Sequence, residues 1–265
     1  MNRIDKKFAE LKQAGRKGLV TFITAGDPDR ETSQTLLDML PESGADLIEL
    51  GMPFSDPMAD GPAIQMASNR ALQNGACMKR TLEMVRNFRQ KNQEIPIVLM
   101  GYFNPIYRYG TDRFALDAFE SGVDGLIVVD IPPEEDSELN AAIRNTNMAL
   151  IRLITPTTND ARLDTILNGA SGFLYYVSIT GVTGTASADE ERVAIHISEI
   201  RAKTDLPIAI GFGIKSPEDA TRMARLADAV VVGSAIVETI AEIPAGSKTV
   251  QDVEKQIGSL ARALR

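Results

Sequence analysis

The stretch Gly125-Leu126-Ile127-Val128-Val129 is an uninterrupted apolar run that ends at Asp130. A strand with one face in water alternates apolar and polar residues, whereas a strand covered on both faces, as in a parallel sheet, is apolar throughout. Comparable short runs recur along the chain and are followed by turn residues. Eight buried strands are predicted: Leu19–Thr24, Asp46–Leu50, Pro96–Met100, Gly125–Val129, Ala149–Ile154, Gly172–Val177, Pro207–Ile210 and Ala229–Val232.

Helical patterns fill most of the intervals between these runs. The predicted helices are Asp29–Ser43, Thr81–Lys91, Asp112–Ser121, Glu134–Asn145, Asp160–Gly169, Glu190–Lys203 and Pro217–Leu226. This alternation predicts a single (β/α)8 TIM barrel, with an open doubly wound sheet as the alternative. Because no Pro/Ser-rich linker divides the 265 residues, we expect one TIM-barrel domain over residues 1–265.

Two segments break the repeat. Residues Ile4–Ala14 carry Ile4, Phe8 and Leu11 at helical spacing before the first strand, which predicts an extra N-terminal helix over the floor of the barrel. The passage Gly51–Arg80 makes the connection after the second strand unusually long. Because barrel enzymes hold their sites in the loops that follow strands, this elaborated loop is a candidate site.

Composition restricts the classes of function. The chain has 28 Lys and Arg against 36 Asp and Glu, a net charge of −8, which argues against a nucleic-acid partner. One Cys and one His leave too few ligands for a disulfide framework or a transition-metal site, so we expect no metal. A charged N-terminus and the absence of long apolar runs predict a cytoplasmic protein without membrane contact.

Glu49 is an acid within the otherwise apolar run Asp46-Leu47-Ile48-Glu49-Leu50. An ionised carboxylate that is buried without a partner destabilises the fold by several kcal/mol. Glu49 is therefore either half of an internal ion pair, for which Arg152 on the fifth predicted strand is a candidate, or a general acid/base with a raised pKa.

Asp60 precedes Gly61-Pro62, where a helix is predicted to begin. An Asp at such a position is commonly a turn or cap residue, and the same holds for Asp56 before Pro57. A catalytic role for Asp60 is the competing interpretation.

Glycine-rich loops follow the last three predicted strands. They are Ser178–Gly184, Gly211–Pro217 and Gly233–Ile236. Barrels form phosphate sites at these positions from backbone N–H groups and a helix N-terminus, so the set indicates a phosphorylated substrate. The first loop is a candidate lid with glycine hinges.

The residues also exclude two types of aldol chemistry. A Schiff base requires a Lys on a strand end, and the nearest one, Lys215, lies in a predicted phosphate loop. A metal-dependent aldolase requires several His, and the chain has only His196. Cleavage of a carbon–carbon bond would thus need an electron sink in the substrate itself.

Longer motifs resemble one known family. The segment Leu47–Pro62, which reads LIELGMPFSDPMADGP, is similar to the signature of the tryptophan synthase alpha subunits. The agreement extends over almost the whole chain, through the segments Phe22–Pro28, Gly101–Pro105, Asp130–Glu135, Gly181–Gly184, Gly211–Ile214 and Gly233–Val237.

The resemblance implies the retro-aldol cleavage of indole-3-glycerol phosphate to indole and glyceraldehyde 3-phosphate, with Glu49 and Asp60 as the acid/base pair. Protonation of indole C3 would create the missing electron sink in the substrate. By the same similarity, Phe22, Met100, Tyr175 and Phe212 would line the site for the indole ring. Gly184, Gly213, Gly233 and Ser234 would hold the phosphate.

The resemblance also implies a partner. The family's alpha subunits form an α2β2 complex with a tryptophan synthase beta subunit, which carries pyridoxal phosphate, so this chain itself is expected to hold no cofactor. Pro53–Met58 resembles the family's contact loop with that subunit. The chain departs from the family at Met52, Met58, Met100 and Ile179, which affects the expected partner affinity and lid rather than the reaction.

Two alternatives stay open on the residues alone. A phosphosugar isomerase would share the phosphate loops and need an acid and a base, and a non-catalytic barrel could bind phosphate without turnover. The presence of both Glu49 and Asp60 favours an enzyme.

Overall fold

The computed structural model of the chain describes residues 2–177, 186–211 and 213–265. Its described strands form one parallel sheet in the order β5-β4-β3-β2-β1-β9-β8-β7-β6. The strands are β1 Gly18–Thr24, β2 Leu47–Gly51, β3 Ile97–Gly101, β4 Gly125–Val128, β5 Ala149–Leu150, β6 Arg152–Ile154, β7 Leu174–Val177, β8 Ile208–Gly211 and β9 Ala229–Val232.

The sheet curls into a nearly closed barrel. Its two ends are β5 and β6, which only Ile151 separates along the chain. Together they correspond to the fifth predicted strand. The prediction of a TIM barrel is therefore confirmed, and the alternative of an open doubly wound sheet is wrong. The strand predicted from Gly172 begins instead at Leu174, because Gly172 has φ +76°, a left-handed conformation that does not occur in a strand.

Helices cover the outside of the barrel. They are α1 Arg3–Gln13, α2 Arg30–Ser43, α3 Pro62–Gln73, α4 Met78–Lys91, α5 Phe103–Tyr109, α6 Thr111–Ser121, α7 Ser137–Arg144, α8 Asp160–Leu167, α9 Ala186–Arg201, α10 Pro217–Ala224, α11 Ser234–Ala241 and α12 Val250–Ala263. The predicted helices are present with shifted ends, but α5 and α12 were not predicted. The helix predicted from Glu134 starts only at Ser137, after a short 3-10 turn over Pro133–Glu135.

The extra N-terminal helix closes the floor of the barrel, as predicted. The buried side chains of Ile4, Phe8 and Leu11 pack among the inward-facing strand residues. Phe8 lies with its ring centre 5.6 Å from that of Phe173. A capping box at Asn2 begins the helix, since the Asn2 side chain accepts a hydrogen bond from the backbone N–H of Asp5.

Three aspartates stand directly before strands at this floor. Asp46, Asp124 and Asp228 each accept a backbone N–H from the start of the adjacent strand, at 3.0, 2.8 and 2.9 Å. Each also pairs with an arginine: Arg16 with Asp46, Arg89 and Arg3 with Asp124, and Arg201 with Asp228. We call these the floor aspartates.

None of the helices in the described ranges is long and apolar enough to cross a membrane. The assignment of residues 1–265 to one domain stays a prediction, and the single sheet running from Gly18 to Val232 supports it.

Candidate active site

A cavity of about 440 Å³ opens at the carboxyl ends of the strands. Residues from β1, β2, β3, β7, β8 and β9 and from the loops after them line it. They are Phe22, Glu49, Ala59, Asp60, Gly61, Ile64, Met100, Tyr175, Val177, Gly211, Gly213, Ile214, Lys215, Val231, Gly233 and Ser234. This is the end of the barrel at which TIM-barrel enzymes carry their sites.

Glu49 points into the barrel because it follows Leu47 by two residues, and Leu47 belongs to the interior cluster. Its side chain is completely buried, and neither carboxylate oxygen has a hydrogen-bond partner among the described residues. Burial raises the pKa of Glu49 from 4.5 to about 8. The carboxyl group therefore holds its proton through neutral pH, as a general acid requires.

The internal ion pair between Glu49 and Arg152, one of the two interpretations of Glu49 from the sequence, does not form. Arg152 instead pairs with Asp136, and both of these side chains are buried. Arg152 alternates with the inward-facing Ile151 and Leu153, so its side chain leaves the opposite face of the strand. Glu49 remains uncompensated, which is characteristic of a functional carboxyl group.

Asp60 lies two residues before α3 and is half-buried at the cavity. Burial raises the pKa of Asp60 from 3.8 to about 6, although the Tyr102 hydroxyl acts in the opposite direction. The Tyr102 oxygen also accepts the backbone N–H of Ala59 at 3.0 Å. Tyr102 was not predicted as a site residue, although it lies in the motif Gly101–Pro105 on which the resemblance partly rests.

Tyr175 lies on β7 and faces the same interior space as Glu49. Burial and the charge of Glu49 raise the pKa of Tyr175 well above its ordinary value, so its hydroxyl stays protonated. The ring crosses the adjacent strand so closely that a Cβ added at Gly211 would lie 2.5 Å from the hydroxyl oxygen. Glycine at that position therefore leaves room for Tyr175.

Apolar side chains form one wall of the cavity. Phe22 is 7% exposed and packs with Ile64, Met100 and Val237. Ile64, Val177, Ile214 and Val231 also line the cavity and were not predicted. They are ordinary core-type residues, and only the fold shows that they face the site. The predicted ring-binding residue Phe212 lies outside the described residues.

Backbone N–H groups and a positively charged side chain also line the cavity. Gly213, with φ +60°, Gly233 and Ser234 line it together with Lys215, and Ser234 is the first residue of α11. A helix N-terminus and glycine-containing turns favour an anion such as phosphate. The predicted lid Ser178–Gly184, including Gly184, lies outside the described residues. Among the described residues no cluster of three or more His, Cys, Asp or Glu is arranged to bind a metal.

Comparisons with known proteins agree with this geometry. The family model described as tryptophan synthase alpha chain matches residues 8–265. The alpha subunit of tryptophan synthase from Legionella pneumophila is 42% identical, with a TM-score of 0.93 over 100% of this chain and 98% of that chain. A tryptophan synthase structure from M. tuberculosis, in its aminoacrylate-bound form, is 32% identical with a TM-score of 0.88 over 100% of both chains. A protein from Aquifex aeolicus is 37% identical with a TM-score of 0.91, again over 100% of both chains. The chain belongs to the tryptophan synthase alpha chain family.

Proposed function

We propose that Glu49 and Asp60 are the acid/base pair with which this chain cleaves indole-3-glycerol phosphate to indole and glyceraldehyde 3-phosphate. The chemistry is that of a carbon–carbon lyase and follows a retro-aldol course. The observation that carries the proposal is the carboxyl group of Glu49, which is completely buried without a partner among the described residues, in the cavity that Asp60 and the anion-binding turns also line.

The proton transfers balance around Glu49. Its neutral carboxyl group donates a proton to indole C3, which converts the ring into an indoleninium cation. The resulting carboxylate then takes the proton of the neighbouring glycerol hydroxyl as the bond between C3 and that carbon breaks. The bonding electrons move into the ring, the hydroxyl carbon becomes the aldehyde, and Glu49 is neutral again.

Asp60 has the complementary role. With a pKa of about 6 it is ionised at neutral pH, whereas Glu49, with a pKa of about 8, is protonated. A carboxylate at the edge of the cavity can accept a hydrogen bond from the indole N–H and stabilise the positive charge that forms on the ring. Because the two carboxyl groups are buried to different degrees, Glu49 can act as the acid while Asp60 acts as the anion in the same site.

The remainder of the cavity fits the substrate's two ends. Phe22, Ile64 and Met100 offer an apolar surface for a flat bicyclic ring, and Tyr175 lies beside Glu49. Gly213, Gly233 and Ser234 would bind the phosphate, with Lys215 near it. Gly184 and Phe212 stay proposed contacts by family resemblance.

The partner we propose is a tryptophan synthase beta subunit in an α2β2 complex. The loop Pro53–Met58 would contact it, since Met58 is 79% exposed and the ring of Phe54 lies 5.3 Å from that of Tyr102 beside the site. Pyridoxal phosphate would be bound by the beta subunit, which would join the released indole to serine.

The test is to incubate the purified chain with indole-3-glycerol phosphate and to measure indole by its absorbance. Release of indole with an equal amount of glyceraldehyde 3-phosphate supports the proposal. An isomerised phosphosugar without indole would favour the isomerase, and binding without turnover would favour a non-catalytic barrel. Co-purification with a protein that contains pyridoxal phosphate tests the partnership separately.

A further inference from the structure

A buried ion pair outside the cavity connects the loop after β1 to α3. The carboxylate of Asp27, only 2% exposed, accepts hydrogen bonds from Arg70 Nε at 2.7 Å and from Arg70 Nη2 at 2.9 Å. Two parallel bonds fix the orientation of both groups as well as their distance. Asn74, at the end of the same helix, adds a third link by donating to the carbonyl oxygen of Pro28 at 2.6 Å.

The helix held in this way is the one that follows Asp60. No side chain caps the start of α3 at Gly61, although Gln65 in its first half donates to the carbonyl oxygen of Asp60 at 2.8 Å. The hydrogen bonds from α3 to the loop after β1 come from its second half. The inner side of α3 packs through Ala63, Ile64 and Ala67 against Phe22 of β1 and Val237 of α11. A displacement of α3 therefore moves Asp60 and Ile64 relative to the rest of the cavity.

Among the described residues, no hydrogen bond joins the anion-binding turns to this ion pair. Gly213 follows β8 and Ser234 begins α11 directly after β9, so each turn is held by its own strand, although α3 also packs against Val237 of α11. Loosening α3 should thus disturb the acid/base end of the site more than the phosphate end.

We propose that Arg70 and Asp27 are positioning residues for the cleavage reaction, because their ion pair holds α3 where Asp60 meets the substrate ring. This inference rests on the proposed role of Asp60. Misplacement of a catalytic group by about 1 Å lowers the rate by about a hundredfold. Breaking the pair should then reduce kcat much more than it changes KM.

The floor of the barrel contains a matched control. Arg16 and Asp46 also form a two-bond ion pair, with 30% and 8% of their side chains exposed, against 24% and 1% for Arg70 and Asp27. Their pair lies at the opposite end of the barrel from Asp60. A loss of stability alone would affect Arg16→Met and Arg70→Met alike.

The experiment compares Arg70→Met, Arg70→Lys and Arg16→Met in the full chain, with steady-state cleavage of indole-3-glycerol phosphate and urea unfolding as measurements. We expect Arg70→Met to lower kcat at least tenfold with less than a threefold change in KM. Arg70→Lys should recover most of the rate, because it keeps the charge beside Asp27. Arg16→Met should lose stability yet keep kcat within twofold.

Asp27→Asn is the second variant and serves as the test if Arg70→Met does not fold. It removes the charge of Asp27 but keeps the size of the side chain. Its kcat should also fall at least tenfold, and the double variant with Arg70→Met should lose little more. Unchanged kcat in a folded Arg70→Met or Asp27→Asn overturns the inference, as does an equal loss in Arg16→Met. If the wild-type chain releases no indole, the proposed function fails instead.

Discussion

Carboxylates at the two ends of the barrel have opposite surroundings. At the floor, each of the aspartates Asp46, Asp124 and Asp228 accepts a backbone N–H and an arginine. At the mouth, Glu49 is entirely buried with no partner among the described residues. Each floor carboxylate has hydrogen-bonded partners, whereas burial without a partner raises the pKa of Glu49 and keeps it neutral.

This difference separates stability from catalysis within one fold. A paired carboxylate joins neighbouring strands through its hydrogen bonds and contributes to the stability of the fold. An unpaired one lowers the stability of the fold and can exchange a proton with a ligand. Substitutions at the floor should consequently change the free energy of unfolding, and substitutions at the mouth should change kcat.

The largest effect is expected for Glu49→Gln. Loss of the general acid should lower kcat by about a thousandfold or more, while KM changes little. Measured indole release and substrate binding test this, and near-normal turnover would remove Glu49 from the mechanism.

The same variant should be more stable than the wild type at alkaline pH. Glu49 ionises near 4.5 when unfolded but near 8 when folded, so its unfavourable contribution grows as pH rises between these values, to about 5 kcal/mol. Urea unfolding at pH 5 and pH 8 measures this difference. A variant that is less stable than the wild type at pH 8 would contradict the assigned environment.

Asp124→Ala tests the floor. It leaves Arg89 and the N–H of Ile97 without their buried acceptor, and we expect the free energy of unfolding to fall by about 3–5 kcal/mol. Because the site lies at the other end, kcat of the folded variant should stay within twofold at 25 °C. A loss of activity without a loss of stability would break the comparison.

A smaller effect is expected for Asp60→Asn. The amide keeps the size of the side chain but removes the charge that faces the ring cation, so kcat should fall by about a hundredfold. The phosphate contacts remain, and KM should change less than threefold. Steady-state kinetics of the cleavage reaction would show this, and a change confined to KM would assign Asp60 to binding.

The pH dependence is the finest test. The site is productive when Asp60 is ionised and Glu49 is protonated, so kcat/KM should rise through about pH 6 and fall through about pH 8. Each limb should change the rate about tenfold per pH unit. Asp60→Asn should abolish the acid limb, and the floor variant Asp124→Ala should keep both limbs.

The predicted elements differ from the observed ones where local conformation overrides pattern. Gly172 in the left-handed region delays the start of β7, and a 3-10 turn over Pro133–Glu135 precedes α7. Helix α12 was not predicted, although Thr249 caps it in the capping-box arrangement with Asp252. The residues of this capping box are visible in the sequence. They lie after the last predicted strand, where the alternation of strands and helices does not predict a further helix.

The floor aspartates were also missed as a group. Asp124 and Asp228 precede apolar runs and were interpreted as turn residues only, and Asp46 was placed inside the second predicted strand, which begins instead at Leu47. That each would accept the N–H of a neighbouring strand follows only from the parallel pairing. The same limit applies to Arg70, whose partner Asp27 is 43 residues away.

The sequence by itself determined the alternation of buried strands and helices, the family and the pair of candidate acids, because these depend on residue type and local spacing. Only the tertiary structure decided that Glu49 has no partner among the described residues, that Arg152 pairs with Asp136, and that Asp60 lines the same cavity. A carboxyl group's pKa depends on what surrounds it in space, and those neighbours come from strands far apart along the chain.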